Sequence, residues 1–151
     1  MPLPKAFASA LKEVKVRSRI PILLPSKLPA PVANAKYGVV ETVYPDEYAI
    51  SLYYELYVGD SGFAASFVAK AHPGYGPKDL LNVSKVKLFS DLPGYFRPVS
   101  CGCSCAPANL WWWEGQVLYQ IQLKLPSTLP ENDQQKIIVE TANSAIIAGP
   151  R

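Results

Sequence analysis

All three cysteines of the 151-residue chain fall in one pentapeptide, Cys101-Gly102-Cys103-Ser104-Cys105. Three thiolates at that spacing are soft ligands that suit Cu(I) or Zn(II). A closed zinc site takes four protein ligands, however, and His72 is the chain's single imidazole. Paired C-x-x-C knuckles are absent. The same string fits a local bridge between Cys101 and Cys105. Fully extended, their α-carbons would stand about 13 Å apart, whereas a disulfide needs them within about 7 Å. The segment must therefore turn, and Gly102 and Ser104 permit it. Three inert thiols are the remaining possibility. The expectation is a Cys101–Cys105 disulfide with Cys103 free or buried, and no cofactor. A thiol-based metal-binding or redox module at Cys101, Cys103 and Cys105, with His72 as a further ligand, is the alternative.

The second chemical feature is Trp111-Trp112-Trp113. With Glu114-Gly115 as a two-residue hairpin turn, Trp113 faces Gln116, Trp112 faces Val117 and Trp111 faces Leu118. Trp112 then joins Val117 and Tyr119 on the core side. Trp111, Trp113 and Leu118 share the other side, where an open antiparallel sheet is ordinarily polar. Tyr53 and Tyr57, outward on their own strand, extend the same patch. An exposed apolar patch marks a contact surface, and tryptophan is favoured where binding energy concentrates. Trp111, Trp113, Leu118, Tyr53 and Tyr57 are thus the candidate binding surface, for a protein, an envelope component or a second copy. The competing expectation is that the segment 20–33 or the N-terminal helix covers the tryptophans. Aromatic platforms also stack bases or sugars, but no arginine- or lysine-rich strand accompanies this one, so no nucleic acid is expected.

Catalytic arrangements find little support. His72 sits in a Pro/Gly loop without a neighbouring aspartate, and no serine lies in a G-x-S-x-G elbow. A Cys–His pair would require the fold to bring His72 to Cys103. The twelve carboxylates form no paired or helix-spaced cluster. The reading is a non-enzymatic domain. Net charge is +3 and the pI about 8.7, short of the pI above about 9 of basic nucleic-acid binders. The densest basic stretch, Lys12, Lys15, Arg17 and Arg19, is a solvated face or an anion contact.

The elements that must position these residues are short. Fifteen prolines in 151 residues is about twice the usual share, and proline breaks helix interiors. Leu3, Phe7, Leu11 and Val14 form one stripe of an N-terminal helix within residues 1–19. Pro21, Pro25, Pro29 and Pro31 make 20–36 an extended arm or edge strand, packed by Ile22, Leu23 and Leu24. Residues 37–151 then read as an α+β core. Strands are predicted at Tyr37–Tyr44, Glu47–Tyr57, from Phe63 to Ala71, Lys85–Phe89, Tyr95–Ser100, Leu110–Trp113 and Gln116–Leu125. Their alternation places Tyr48, Ile50, Leu52, Tyr54 and Leu56 on one face, and Phe63, Ala65, Phe67, Ala69 and Ala71 on one face. Turns are expected at Tyr44–Glu47 and at Leu92-Pro93-Gly94-Tyr95, with Pro98 marking an edge strand. Thr128 to Glu131 reads as a capping box for a last helix that Gly149 and Pro150 end. The fold class is α+β: a five- to seven-strand antiparallel sheet, an N-terminal helix and arm, and a C-terminal helix on one face.

Three stretches together, PILLPSKLP at 21–29, CGCSCAPANLWWWEGQVLYQI at 101–121 and ETANSAIIAG at 140–149, resemble an uncharacterised family of bacterial extracytoplasmic proteins and lipoproteins. The resemblance spans Pro21 to Gly149 and implies no catalytic residues. It implies a place beyond the inner membrane, periplasmic or secreted, where oxidising conditions favour the Cys101–Cys105 bridge. Residues 1–15 lack the uninterrupted apolar region of a secretory signal, so the chain is either a mature domain restarted at Met1 or a cytoplasmic protein. No run reaches the ~18 apolar residues that a membrane span needs.

Overall fold

The computed structural model describes residues 1–151, apart from the side chain of Asp60. A short 3-10 turn leads into α1 (Ala8–Arg17), and the strands follow as β1 (Tyr37–Tyr44), β2 (Glu47–Tyr53), β3 (Phe63–Ala71), β4 (Ser84–Lys87) and β5 (Pro93–Arg97). Two residues each make β6 (Ser100–Cys101) and β7 (Cys105–Ala106), before β8 (Ala108–Glu114), β9 (Val117–Leu123) and α2 (Glu131–Ala148). Seven strands form one antiparallel sheet in the order β1-β2-β3-β9-β8-β5-β4, and β6 and β7 pair apart from it. The α+β class read from the sequence is the observed one.

One face of the sheet, the inner face, carries the core. Tyr48, Ile50, Leu52, Phe67, Leu110, Trp112, Tyr119, Ile121 and Leu123 are buried there with Phe7, Ala10 and Val14 of the N-terminal segment and Ile138, Ala142 and Ala145 of α2. Helix α1 lies against β1 and α2 against β8 and β9. Between them runs the proline-rich arm, extended but not a strand, with Ile22, Leu23 and Leu24 buried. Two core tyrosines hold it. The Tyr119 hydroxyl donates to the Pro21 carbonyl at 2.9 Å, and the Leu23 amide donates to the Tyr48 hydroxyl at 3.1 Å. An arm with four prolines cannot supply a ladder of amides, so side-chain oxygens replace the ladder. Burial raises the pKa of both phenols well above that of free tyrosine.

Several expectations are corrected. Strand β2 ends at Tyr53; Tyr54 still packs against the core as expected, but Leu56 leaves it and lines an outer cleft. The turn between β4 and β5 is Phe89–Asp91, not Leu92–Tyr95; Ser90 and Asp91 take the left-handed φ values, and Pro93 and Gly94 are already in β5. Pro98 lies just past β5, which is flanked on both sides by β4 and β8 and is not an edge. The β8–β9 turn is Gly115-Gln116, with Glu114 opposite Val117. Gly115 has φ +59°, the first central position that a glycine-led hairpin turn requires. This is a slip of two residues from the predicted pairing, and a slip of two leaves every side chain on its predicted face. Helix α2 begins at Glu131 behind Pro130, with no side-chain cap, so Thr128 does not form the capping box. Gly149, at φ +72°, ends it as expected.

Candidate functional site

The other, outer face of the sheet carries neither α1 nor α2, and its two ends differ. At one end Trp113 stands opposite Leu118 on β8 and β9, with Trp111 opposite Gln120. Trp111 is only 6% exposed and Leu118 4%, so these two do not form an exposed patch. Neither the arm nor α1 covers them, since both lie on the inner face. The cover follows from the order of the strands. β3 and β4 run parallel with β9, β8 and β5 between them. The connection 72–83 must therefore pass from the far end of β3 back to the near end of β4. It begins with the His72 amide on the Gln116 carbonyl at 2.8 Å. Pro73, Tyr75 and Lys78 then line a cleft with Trp113. Near its end the Leu81 carbonyl accepts from Nε and Nη2 of Arg97 at 3.2 and 2.6 Å. That fixes the Arg97 guanidinium 4.8 Å above the Trp111 ring, and the Tyr95 ring meets Trp113 edge to face at 6.0 Å. Trp111 and Leu118 are thus buried, while Trp113 is half-buried at the rim of the cleft.

Across the middle, the outer face is polar. Gln120 donates to Asn109 at 2.7 Å, and Asn109 donates to the Pro107 carbonyl at 3.1 Å. Ser51 and Ser66 lie opposite each other on β2 and β3.

At the opposite corner a second group of aromatic side chains lines a cleft. Tyr53 donates to Glu41 at 2.6 Å, and its ring meets Phe63 edge to face at 6.1 Å. Tyr57 is fully exposed. Val39, Leu56 and these residues line a cleft of about 480 Å³. Phe63 was expected among the core residues of its strand. The pairing of β2 with β3 jumps between Leu52–Ala65 and Tyr53–Phe63, leaving Ala64 unmatched. That bulge re-aims Phe63 toward Tyr53. Phe63 also borders a second cleft of about 580 Å³ with Cys105, Pro107, Gln122, Lys124 and Leu125. It joins the two, and no alternation pattern announced it.

The cysteines form a hairpin beside this second cleft. Cys101 pairs with Cys105 across β6 and β7, and their Sγ atoms lie 2.06 Å apart, at disulfide distance. Cys103 is a free, exposed thiol at the tip. His72 sits beside the β8–β9 turn, whereas the hairpin precedes the opposite end of β8, so neither a Cys103–His72 pair nor a four-ligand metal set forms. Among the described residues no three metal-ligating side chains are gathered around a common point, and no helix is long and apolar enough to cross a membrane. Protein-family models, curated proteins and solved structures yield no match to this chain.

Proposed function

We propose that this protein is a binding domain that works outside the cytoplasm and engages a protein or envelope component through the tyrosine corner of its outer face. The observation that carries this reading is the pair of clefts joined at Phe63, where Tyr53, Tyr57 and Phe63 line concave space. Clefts with apolar walls and a few polar groups are the usual form of a binding site. Here Glu41 and Lys124 stand at the two margins. Aromatic side chains give large contact area at small entropic cost. Relative to the surface expected from the sequence, Trp111 and Leu118 support the face from within, and Phe63 joins Tyr53 and Tyr57 at the contact. An exposed Cys101–Cys105 bridge fits an oxidising compartment.

The test is site-specific cross-linking. A photoreactive phenylalanine in place of Tyr57 is irradiated in an extract of the source cell envelope, with the same residue in place of Lys12 as control. A discrete adduct from position 57 that excess unlabelled protein removes, and that Phe63→Ala abolishes, supports the reading. Adducts equal from both positions, or none from 57, contradict it.

A further inference from the structure

We propose that the cysteine hairpin is a thiol–disulfide exchange site, with Cys103 as the attacking thiol and Cys101 and Cys105 as its resident pair, acting on disulfides of proteins or peptides. The inference is independent of the tyrosine corner. Residues Ser100 to Ala106 are all exposed, and β6–β7 forms its own two-stranded sheet outside the main one. Its flanks are anchored: the Val99 amide donates to Gln134 at 2.8 Å, and the Pro107 carbonyl accepts from Asn109 at 3.1 Å. The tip between them can change its sulfur connectivity without disturbing the core.

A bridge at this place does little for stability. Loop-closure stabilisation grows with the length of chain enclosed, and this ring spans a sequence separation of only four. Exposed disulfides are also the ones open to attack by external thiols. Cys103 lies two residues from either partner, so its α-carbon stands within about 7 Å of each. Three sulfurs within mutual reach, one of them always left as a thiol, can pass a disulfide among themselves and to a bound substrate.

The electrons balance as follows. In the reduced hairpin the Cys103 thiolate attacks one sulfur of a substrate disulfide. That S–S bond breaks, one substrate sulfur leaves as a thiolate, and Cys103 holds the other in a mixed disulfide. The Cys105 thiolate then attacks Cys103 Sγ, releasing the second substrate thiolate and closing Cys103–Cys105. Attack of the Cys101 thiolate on Cys105 Sγ moves the bond to Cys101–Cys105 and returns Cys103 as a thiol, the arrangement in the structure. Two electrons pass from the hairpin to the substrate, whose thiolates take up the two protons given up by the hairpin. Two external thiols of the glutathione class restore the reduced hairpin, the first attacking the bridge to form a mixed disulfide and the second displacing it as the glutathione-type disulfide.

The experiment uses the full chain, reduced with a phosphine, freed of reductant and mixed with one equivalent of oxidised glutathione as probe. Thiol release and intact mass are followed after rapid alkylation. The expected result is release of both glutathione thiols, a closed Cys101–Cys105 bridge and an alkylated Cys103. Cys103→Ser should slow the release by about tenfold or more, because the thiol at the hairpin tip is lost and the first attack falls to one of the paired strand positions. The Cys101→Ser/Cys105→Ser double variant should stop at one glutathione adduct on Cys103 with an unchanged far-ultraviolet spectrum. Closure by Cys103→Ser at the wild-type rate overturns the proposal, as does a double variant that takes up no glutathione. A reduced chain that holds a copper or zinc ion in place of reacting overturns it too.

Discussion

Three aromatic rings lie at each of two ends of the outer sheet face: Trp111, Trp113 and Tyr95 at one, Tyr53, Tyr57 and Phe63 at the other. In the first group Trp111 is buried beneath a connection, with Trp113 and Tyr95 half-buried beside it; in the second Tyr57 is fully exposed, with Tyr53 and Phe63 half-buried in the clefts. Strand pattern does not separate them, since each group points away from the core. The difference lies in the connections. β3 and β4 are parallel with three strands between them, so residues 72–83 must cross the sheet from end to end. β2 and β3 are antiparallel neighbours, so the return from Tyr53 to Phe63 stays at one end, where Leu56 and Tyr57 wall a cleft and do not cross the sheet. Whether an outward residue is core or contact is thus decided by which strands the chain joins, a long-range property.

Several substitutions sharpen or break this contrast. Trp112→Ala sets the scale. It is stacked on Tyr119 at 5.4 Å on the inner face, and its removal should cost about 3–5 kcal/mol in urea unfolding. Its indole N–H has no hydrogen-bond partner among the described residues, so Trp112→Phe should cost clearly less than Trp112→Ala despite the void it leaves. A loss for Trp112→Ala as small as that of a surface residue would break the assignment of inner and outer faces.

Alkali should expose the arm's dependence on two tyrosines. Tyr48 and Tyr119 have pKa values raised by burial, so the folded state keeps protons that the unfolded state loses above about pH 10. The unfolded chain then binds fewer protons, and stability falls as pH rises through that range, by about 1.4 kcal/mol per pH unit for each group. Below about pH 9 these groups add no pH dependence. Melting curves between pH 8 and about pH 11.5 check the sign, and Tyr119→Phe should flatten the slope. A slope unchanged in Tyr119→Phe would remove that phenol from the account.

Arg97→Ala tests the cover itself. It removes a cation–π contact, about 0.5–2 kcal/mol, and the anchor of the Leu81 carbonyl. A loss of about 1–2 kcal/mol is expected, with faster amide exchange along 78–83. If exchange there is unchanged, Arg97 does not hold the crossover. The smallest effect belongs to the open corner. Tyr57→Ala should change stability by no more than about 0.5 kcal/mol while weakening capture of the envelope partner. A large loss of stability would make Tyr57 part of the packing.

The parts legible in the sequence are those governed by local pattern. Period-two alternation found β2, β3 and β9, and the apolar stripes found both helices, because each depends on neighbours within a few residues. The Cys101–Cys105 pairing was legible for the same reason: a bridge across three residues needs only a turn. The arm was partly legible, since its prolines excluded a central strand but did not name Tyr48 and Tyr119 as its partners. Phe63 was not legible, because a bulge inverts the face of every residue beyond it and no residue type marks it. That residues 72–83, and not the arm or α1, cover Trp111 was not legible either. It depends on three strands lying between β3 and β4, and spacing along the chain does not encode strand order.

The most direct test is equilibrium urea unfolding of Trp111→Ser against wild type, read by far-ultraviolet circular dichroism. If the crossover seals the tryptophan end, the loss is about 3 kcal/mol or more, close to that of Trp112→Ala. A change within about 0.5 kcal/mol would place Trp111 on an open surface and contradict the division of the outer face.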